Sequence, residues 1–267
     1  MSDLPLLTVG YSCLADRVHD LRLPKVGGDV EILVAIQGGS APTFPHPIRT
    51  LVVEGLGVAK SRNAVIDAAT GEYLLFCDDD VDVNLPGVLA GVRHLQASRD
   101  AIVLGRGVDS MGRLRKSYAA GGSRLTRFNS AKAATYEILI DVAQVRRAGI
   151  RFDERFGAGT ELHLADEYIF IADLLAASLT GEAIPAVFGM HPGTSSGERW
   201  ESDRDVHVRA VALNRVFGRV ALMARLLFAL KQAARLGDWR RVLRLVADNG
   251  QPPALPPVDN RSYRDQR

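Results

Sequence analysis

Cysteine is nearly absent from this chain. Cys13 and Cys77 are the only two, far apart and without a metal-binding spacing. That excludes a disulfide framework and a cysteine-ligated zinc site. Both read as small buried residues of a reducing compartment, so a cytoplasmic location is expected. Long apolar runs are missing as well. The longest, Val220 to Leu230, is broken by Arg225 and is too short to span a bilayer. Met1-Ser-Asp-Leu-Pro5 leads no basic segment into an apolar stretch, and no secretion signal is expected. Nor is there an excess of either charge: 33 basic residues face 31 acidic ones, which argues against a nucleic-acid partner. No internal repeat occurs. What remains is an ordinary globular composition over 267 residues, enough for one large domain or a domain with an appendage.

Strand and helix signals alternate through the first half. Leu6 to Gly10, Glu31 to Ile36, Thr50 to Val53, Glu72 to Cys77 and Ala101 to Leu104 read as strands. Val58 to Ala69 and Leu85 to Ala97 read as helices, the first stopped by Gly71 and the second tolerating Pro86 in its first turn. This alternation predicts an α/β fold with a mostly parallel sheet covered on both faces. Ala41 to Pro47 is a Pro-rich loop, and Gly105 to Asn129 reads as long, mobile loops. Further on, Tyr136 to Ile140 and Ala183 to Gly189 read as strands. Asp141 to Ala148 and His163 to Ala177 read as helices, with a Gly-rich loop from Phe152 to Thr160. A polar loop over 193–202 leads into a mostly helical stretch from Arg204 to Leu236. The expected division is a catalytic domain over 1–203, an amphipathic helical segment over 204–248 and a disordered Pro-rich tail over 249–267.

The most informative feature is Asp78-Asp79-Asp80, at the end of the apolar run Glu72-Tyr-Leu-Leu-Phe-Cys77. Three adjacent carboxylates repel one another and are costly to bury without a counter-charge. A divalent cation that also grips a polyphosphate would supply one. Asp78 and Asp80 should point the same way if the strand pleat persists. The alternative is an acidic loop that only aids solubility. Just upstream, Gly55-Leu-Gly-Val-Ala-Lys-Ser-Arg-Asn63 joins a glycine turn to a helix N-terminus able to receive an anion. Lys60 and Arg62 oppose the helix dipole there, which is easier to understand beside a phosphate or carboxylate; a solvated basic helix start has the same composition.

Two later groups add to these. Asp166 and Glu167 sit in the first turns of a helix, where the dipole favours the ionised form and a carboxylate could take a proton from a hydroxyl. His163 would lie one turn before Glu167 on the same face. His191, at a strand end before Pro192-Gly-Thr-Ser-Ser-Gly197, could complete a metal shell or contact a diphosphate. Each has a bland alternative in an acidic helix start or a structural histidine.

In this order the motifs resemble the family 2 glycosyltransferases of the GT-A fold, from about Leu6 to Gly197. The most specific stretch runs from Gly57-Val-Ala-Lys-Ser-Arg-Asn63 through Gly71-Glu-Tyr-Leu-Leu-Phe-Cys-Asp-Asp-Asp80. Phe152-Asp-Glu-Arg-Phe-Gly157, Asp166-Glu167 and His191-Pro192 resemble the family's acceptor-side elements. The resemblance implies a Rossmann-like sheet with a C-terminal helical extension, a nucleotide-diphosphate-sugar donor, Mg2+ or Mn2+, and inversion at the anomeric carbon. It implies Asp80, Asp78 and His191 as metal ligands. Tyr11, Gln37, Lys60, Arg62, Asn63, Asp78 and Asp79 would line the donor. Glu167 or Asp166 would be the base, with the acids in the reverse of the family's usual order. Gln37 stands where many relatives carry an acid that pairs with the base ring.

The expected activity is metal-dependent transfer to a glycan, polysaccharide or lipid-linked hydroxyl, as in polysaccharide biosynthesis. A sugar nucleotidylyltransferase is one rival, but Gly10-Tyr-Ser-Cys-Leu-Ala-Asp-Arg17 lacks a clear Gly-rich loop after the first strand. A catalytically silent nucleotide-sugar scaffold is another, disfavoured by the retained carboxylates. The stretch 206–236 mixes Arg209, Arg215, Arg219, Arg225, Lys231 and Arg235 with aliphatics. It could lie peripherally on an anionic membrane, pack on the domain, or form a homodimer contact.

Overall fold

A computed structural model of the protein describes residues 4–44, 48–193, 200 and 202–254. Strand β1 (Leu7–Leu14) is buried along nearly its whole length. Its odd positions, Leu7, Val9, Tyr11 and Cys13, belong to the core on one face of the sheet. Such double-sided burial needs helices on both faces. Strands β2 (Val30–Gln37) and β3 (Arg49–Val53) follow, and β1 pairs with β2, and β2 with β3, in parallel.

Helix α1 (Val58–Ala68) then packs Ala59, Val65 and Ile66 onto the second core with Leu33 and Ala35. A side chain at Gly10 would collide with Val65 Cγ1, so this glycine sets how closely α1 approaches β1. Strand β4 (Tyr73–Asp78) returns beside β1, its pleat sending Tyr73, Leu75 and Cys77 to one core and Leu74 and Phe76 to the other.

The sheet is completed by β5 (Asp82–Val83), helix α2 (Leu85–Ser98), β6 (Ile102–Val108), β7 (Ser123–Arg124), β8 (Ile138–Asp141), helix α3 (Val142–Arg147), helix α4 (Asp166–Ala176) and β9 (Gly181–Met190). The strand order is β3-β2-β1-β4-β8-β6-β9-β5, with β7 added beside β9. β8 is antiparallel to both β4 and β6, and β6 is parallel to β9. Six strands therefore run one way, and their carboxyl ends share one edge, where ligands bind in such sheets. Asp82 pairs with Met190, which brings the end of β9 to the residues just after β4.

The C-terminal segment forms α5 (Asp203–Phe217), α6 (Ala221–Lys231), α7 (Ala233–Leu236) and α8 (Trp239–Ala247). Helix α5 starts at a capping box between Ser202 and Asp205. Its Val208, Val211 and Ala212 share a core cluster with Tyr168, Ile169 and Ala172 of α4. It therefore packs against the helix that begins with Asp166 and Glu167. No helix among the described residues is long and apolar enough to cross a membrane.

Several expectations need correction. The segment after Leu104 is not all loop, since β6 runs on to Val108 and Ser123–Arg124 is a strand. The 136–140 strand starts at Ile138, after a 3-10 turn over Thr135–Glu137. His163 is not on a helix: Ala165 has φ 76°, a left-handed conformation that breaks the turn, so α4 begins at Asp166. Most of the polar loop over 193–202, and the tail beyond residue 254, lie outside the described residues.

Candidate active site

The carboxyl edge of the sheet opens into a cleft of about 1900 Å3 lined by Asp78, Asp80, Arg62, Thr135, Glu167 and His191 among others. That exceeds the ~300–1,000 Å3 of a common small-ligand pocket.

Arg62 organises the floor of the cleft. It is buried on α1, and its cation lies 5.5 Å over the Phe152 ring. One guanidinium reaches three carboxylates: Nη1 bonds Asp166 Oδ2 and Glu167 Oε1 (3.2 Å), and Nη2 bonds Asp78 Oδ1 (3.2 Å). Nη2 also donates to the Thr135 hydroxyl, which in turn donates to Glu167 Oε1 at 2.7 Å. The three carboxylates outnumber the one cation, and the excess is resolved unequally. Burial, then the adjacent Glu167 charge, push the Asp166 carboxyl well up. Burial also pushes on Glu167, but Arg62 and the Thr135 bond outweigh it and hold Glu167 below its ordinary value. Asp166 is 5% exposed and Glu167 20%. The environment thus pushes two neighbouring acids in opposite directions, the buried Asp166 toward its protonated form and the more open Glu167 toward its ionised form.

The aspartate run is divided among three partners. Asp78 faces Arg62, and burial raises its carboxyl. Asp79 turns to Arg17 Nη2 at 2.9 Å, and burial pushes it up to about 6. Asp80 Oδ1 lies 3.4 Å from His191 Nε2, a contact that keeps Asp80 below the usual carboxylate range and His191 above its own. β4 ends at Asp78, yet Asp78 and Asp80 both line the cleft. His191 is fixed from behind: Arg115 donates to its carbonyl at 2.7 Å, and the ring lies nearly parallel to that of Tyr136.

Other expected donor residues are elsewhere or occupied. Tyr11 lies wholly in the core, its hydroxyl donating to the Arg22 carbonyl at 3.1 Å. Asn63 is buried and clamps the 152–154 loop by bonds to the Phe152 carbonyl and N–H and to Glu154. Lys60 stands near Gly55 and does not line the cleft. Gln37 lines the cleft, but its amide donates to the carbonyls of Gly55 and Gly57, both at 3.1 Å. The glycine turn is therefore held by protein, and the Val58 N–H already donates to the Ala158 carbonyl. His163 bonds Asp205 at 3.0 Å.

Thr135, Arg17 and Arg115 were not anticipated. Thr135 stands in a bland Ala-Lys-Ala-Ala-Thr stretch with no local signal. A further His94, Asp100 and Glu182 group has ligand atoms within 4.8 Å of one another. It sits at the start of β9, the opposite end from His191, and Asp100 is already held by Arg124 (2.8 and 2.9 Å) and Thr180 (2.6 Å). It lies outside the cleft.

The sheet order, the helices on both faces and the acid-lined carboxyl edge define a GT-A glycosyltransferase fold. S. aureus TarS is similar over 90% of this chain, with TM-score 0.56 and 15% identity, and the chain spans 55% of that protein's length. TarS 1-349 in complex with UDP-GlcNAc gives TM-score 0.52 and 14% identity over 90% of this chain and 81% of that one. The mannosyltransferase PcManGT from Pyrobaculum calidifontis, in complex with GDP-Man and Mn2+, gives 0.53 and 16% over 95% and 77%. The family model for glycosyl transferase family 2 matches residues 28–154. The matched stretch runs from just before β2 to the loop clamped by Asn63. No curated protein matches the sequence.

Proposed function

We propose that the protein transfers a glycosyl group from a nucleoside-diphosphate sugar to an acceptor hydroxyl, with inversion and with the help of Mg2+ or Mn2+. The observation that carries this reading is the Glu167 carboxylate, oriented by Thr135 and Arg62 in the same cleft as Asp80. An acid whose surroundings favour its charged form, beside a neighbour pushed the other way, is suited to act as a base. The UDP-GlcNAc and GDP-Man complexes of similar structures support the donor class.

The side chains present fit a hard divalent cation. Asp78 and Asp80 offer oxygens and His191 Nε2 faces Asp80, while the carboxylates outnumber Arg62 and Arg17. Asp80, with Asp78 and His191, would hold the ion, which would offset charge on the departing diphosphate. Glu167 takes the acceptor proton as the acceptor oxygen bonds the anomeric carbon. The bond to the diphosphate breaks, and its electron pair leaves on the diphosphate oxygen. Arg62 positions the carboxylates.

The test is incubation with UDP- and GDP-sugars, Mn2+ and a panel of hydroxyl acceptors. Release of the nucleoside diphosphate, with a product of opposite anomeric configuration by NMR, is expected. Pyrophosphate release from a nucleoside triphosphate, or tight donor binding without turnover, would contradict the proposal.

A further inference from the structure

Helix α6 faces the protein with its small residues and faces solvent with its large apolar ones. Ala221, Ala224 and Ala229 are buried, together with Arg225, which bonds Asn214, Asn249 and the Val246 carbonyl. Leu222, Met223, Leu226, Leu227 and Leu230 are exposed, Met223 by 64% and Leu230 by 76%. At about 100° per residue these five fall on one continuous face of roughly 140°. Val220 before the helix is exposed too, as is Phe128, whose ring lies 5.3 Å from that of Phe217. A water-facing helix surface ordinarily carries the polar residues, and a contiguous apolar patch of this kind marks an interaction surface.

The charge around the patch identifies the partner. Residues 206–237 contain six Lys and Arg and no Asp or Glu, and residues 110–136 likewise contain six and none. Many of the twelve are used internally, such as Arg215 on Asp153 and Asp173, or Lys116 on Glu137. Arg219, Lys132, Lys231 and Arg235 form no salt bridge among the described residues. Lys132 and Lys231 both line the cleft, which brings the two segments to one mouth. A second copy of the chain, packed about a two-fold axis, would bring this predominantly basic surface against itself. An anionic lipid surface complements it: the leucines enter the acyl boundary while Lys and Arg reach the headgroups.

We propose that the exposed face of α6, with Phe128 and its flanking cations, docks the protein on anionic lipid bilayers. Leu227, Phe128, Lys132, Lys231 and Arg235 also line the cleft, so docking turns the cleft mouth toward the bilayer. Resting on the transfer reading, the acceptor would then be an amphiphile whose hydroxyl sits at headgroup level.

The test is sedimentation of the full chain with vesicles of phosphatidylcholine alone or with about a third phosphatidylglycerol, across a salt series. It needs no donor, metal or turnover, so its failure leaves the transfer reading standing, and the reverse. Binding is expected to the phosphatidylglycerol vesicles and to weaken with salt. Leu226→Glu/Leu230→Glu should weaken it about tenfold or more. The milder Leu230→Ser should weaken it less, and both variants should melt like wild type because the positions are exposed. Absence of binding at low salt, or wild-type binding by correctly melting variants, would overturn the proposal. So would a dimer in sedimentation velocity that Leu230→Ser dissolves, since the occupant would then be a second copy.

Discussion

Thr135 Oγ1 donates to Glu167 Oε1 at 2.7 Å across 32 residues of sequence. The same hydroxyl accepts from Arg62, so one small side chain orients both the cation and the acid beside it. A hydrogen bond to the ionised form favours that form. Thr135→Val should therefore raise the Glu167 pKa and move the acidic limb of the kcat/KM profile to higher pH. Glu167→Gln should lower kcat by about 10²–10⁴ while leaving donor affinity close to wild type. Asp166→Asn should retain more activity than Glu167→Gln, because burial favours the neutral form of Asp166. Rapid-quench turnover and donor titration check all three, and equal activity in Glu167→Gln would move the base elsewhere.

Arg62→Met leaves Asp166, Glu167 and Asp78 together without their cation. Removing one partner from a buried ionic group costs about 3–5 kcal/mol, and urea unfolding should show a loss of that size. Lys should not restore it, because the bonds come from both Nη1 and Nη2 and a lysine ammonium lacks that fork.

The burial of Asp79 gives its pH-dependent contribution a definite expected sign. Its folded pKa of about 6 lies above the ordinary carboxylate value. The folded state therefore binds more protons, and stability is lost as pH rises from about 4 through 6. Asp79→Asn resembles the protonated form. It should be more stable than wild type at pH 7.5 by about 1–2 kcal/mol and indistinguishable near pH 4. Thermal melts at the two pH values decide this, and a destabilised variant at pH 7.5 would show that the Arg17 pair outweighs burial.

Local features were legible in the sequence and distant ones were not. Helix α1 and strand β4 follow from glycine punctuation and an apolar run, and both fall within a residue or two of expectation. The clustering of Asp78, Asp80, Asp166, Glu167 and His191 in one cleft was also legible, because each lies at the edge of a recognisable element. The use of Arg62 was half visible: its place on a helix start asked for an anion, but Asp166 lies 104 residues away and comes only with the fold. Tyr11 and Asn63 were misplaced because side-chain direction depends on pleat phase and on which loop closes over a helix. Likewise, nothing in the periodicity of 163–177 shows Ala165 in a left-handed conformation, worth roughly 1–2 kcal/mol of strain just before the paired acids.

Thermal melting of wild type and Asp80→Asn, with UDP- and GDP-sugars and with or without Mn2+, is the most direct test. A ligand that binds only the folded state raises its melting temperature. At least one nucleotide sugar should raise the wild-type Tm strongly only when Mn2+ is present, and Asp80→Asn should fold normally but lose that Mn2+-dependent rise. If no nucleotide sugar shifts the wild type under any condition, or if Asp80→Asn responds as wild type does, the acid-lined cleft is not a metal-assisted donor site.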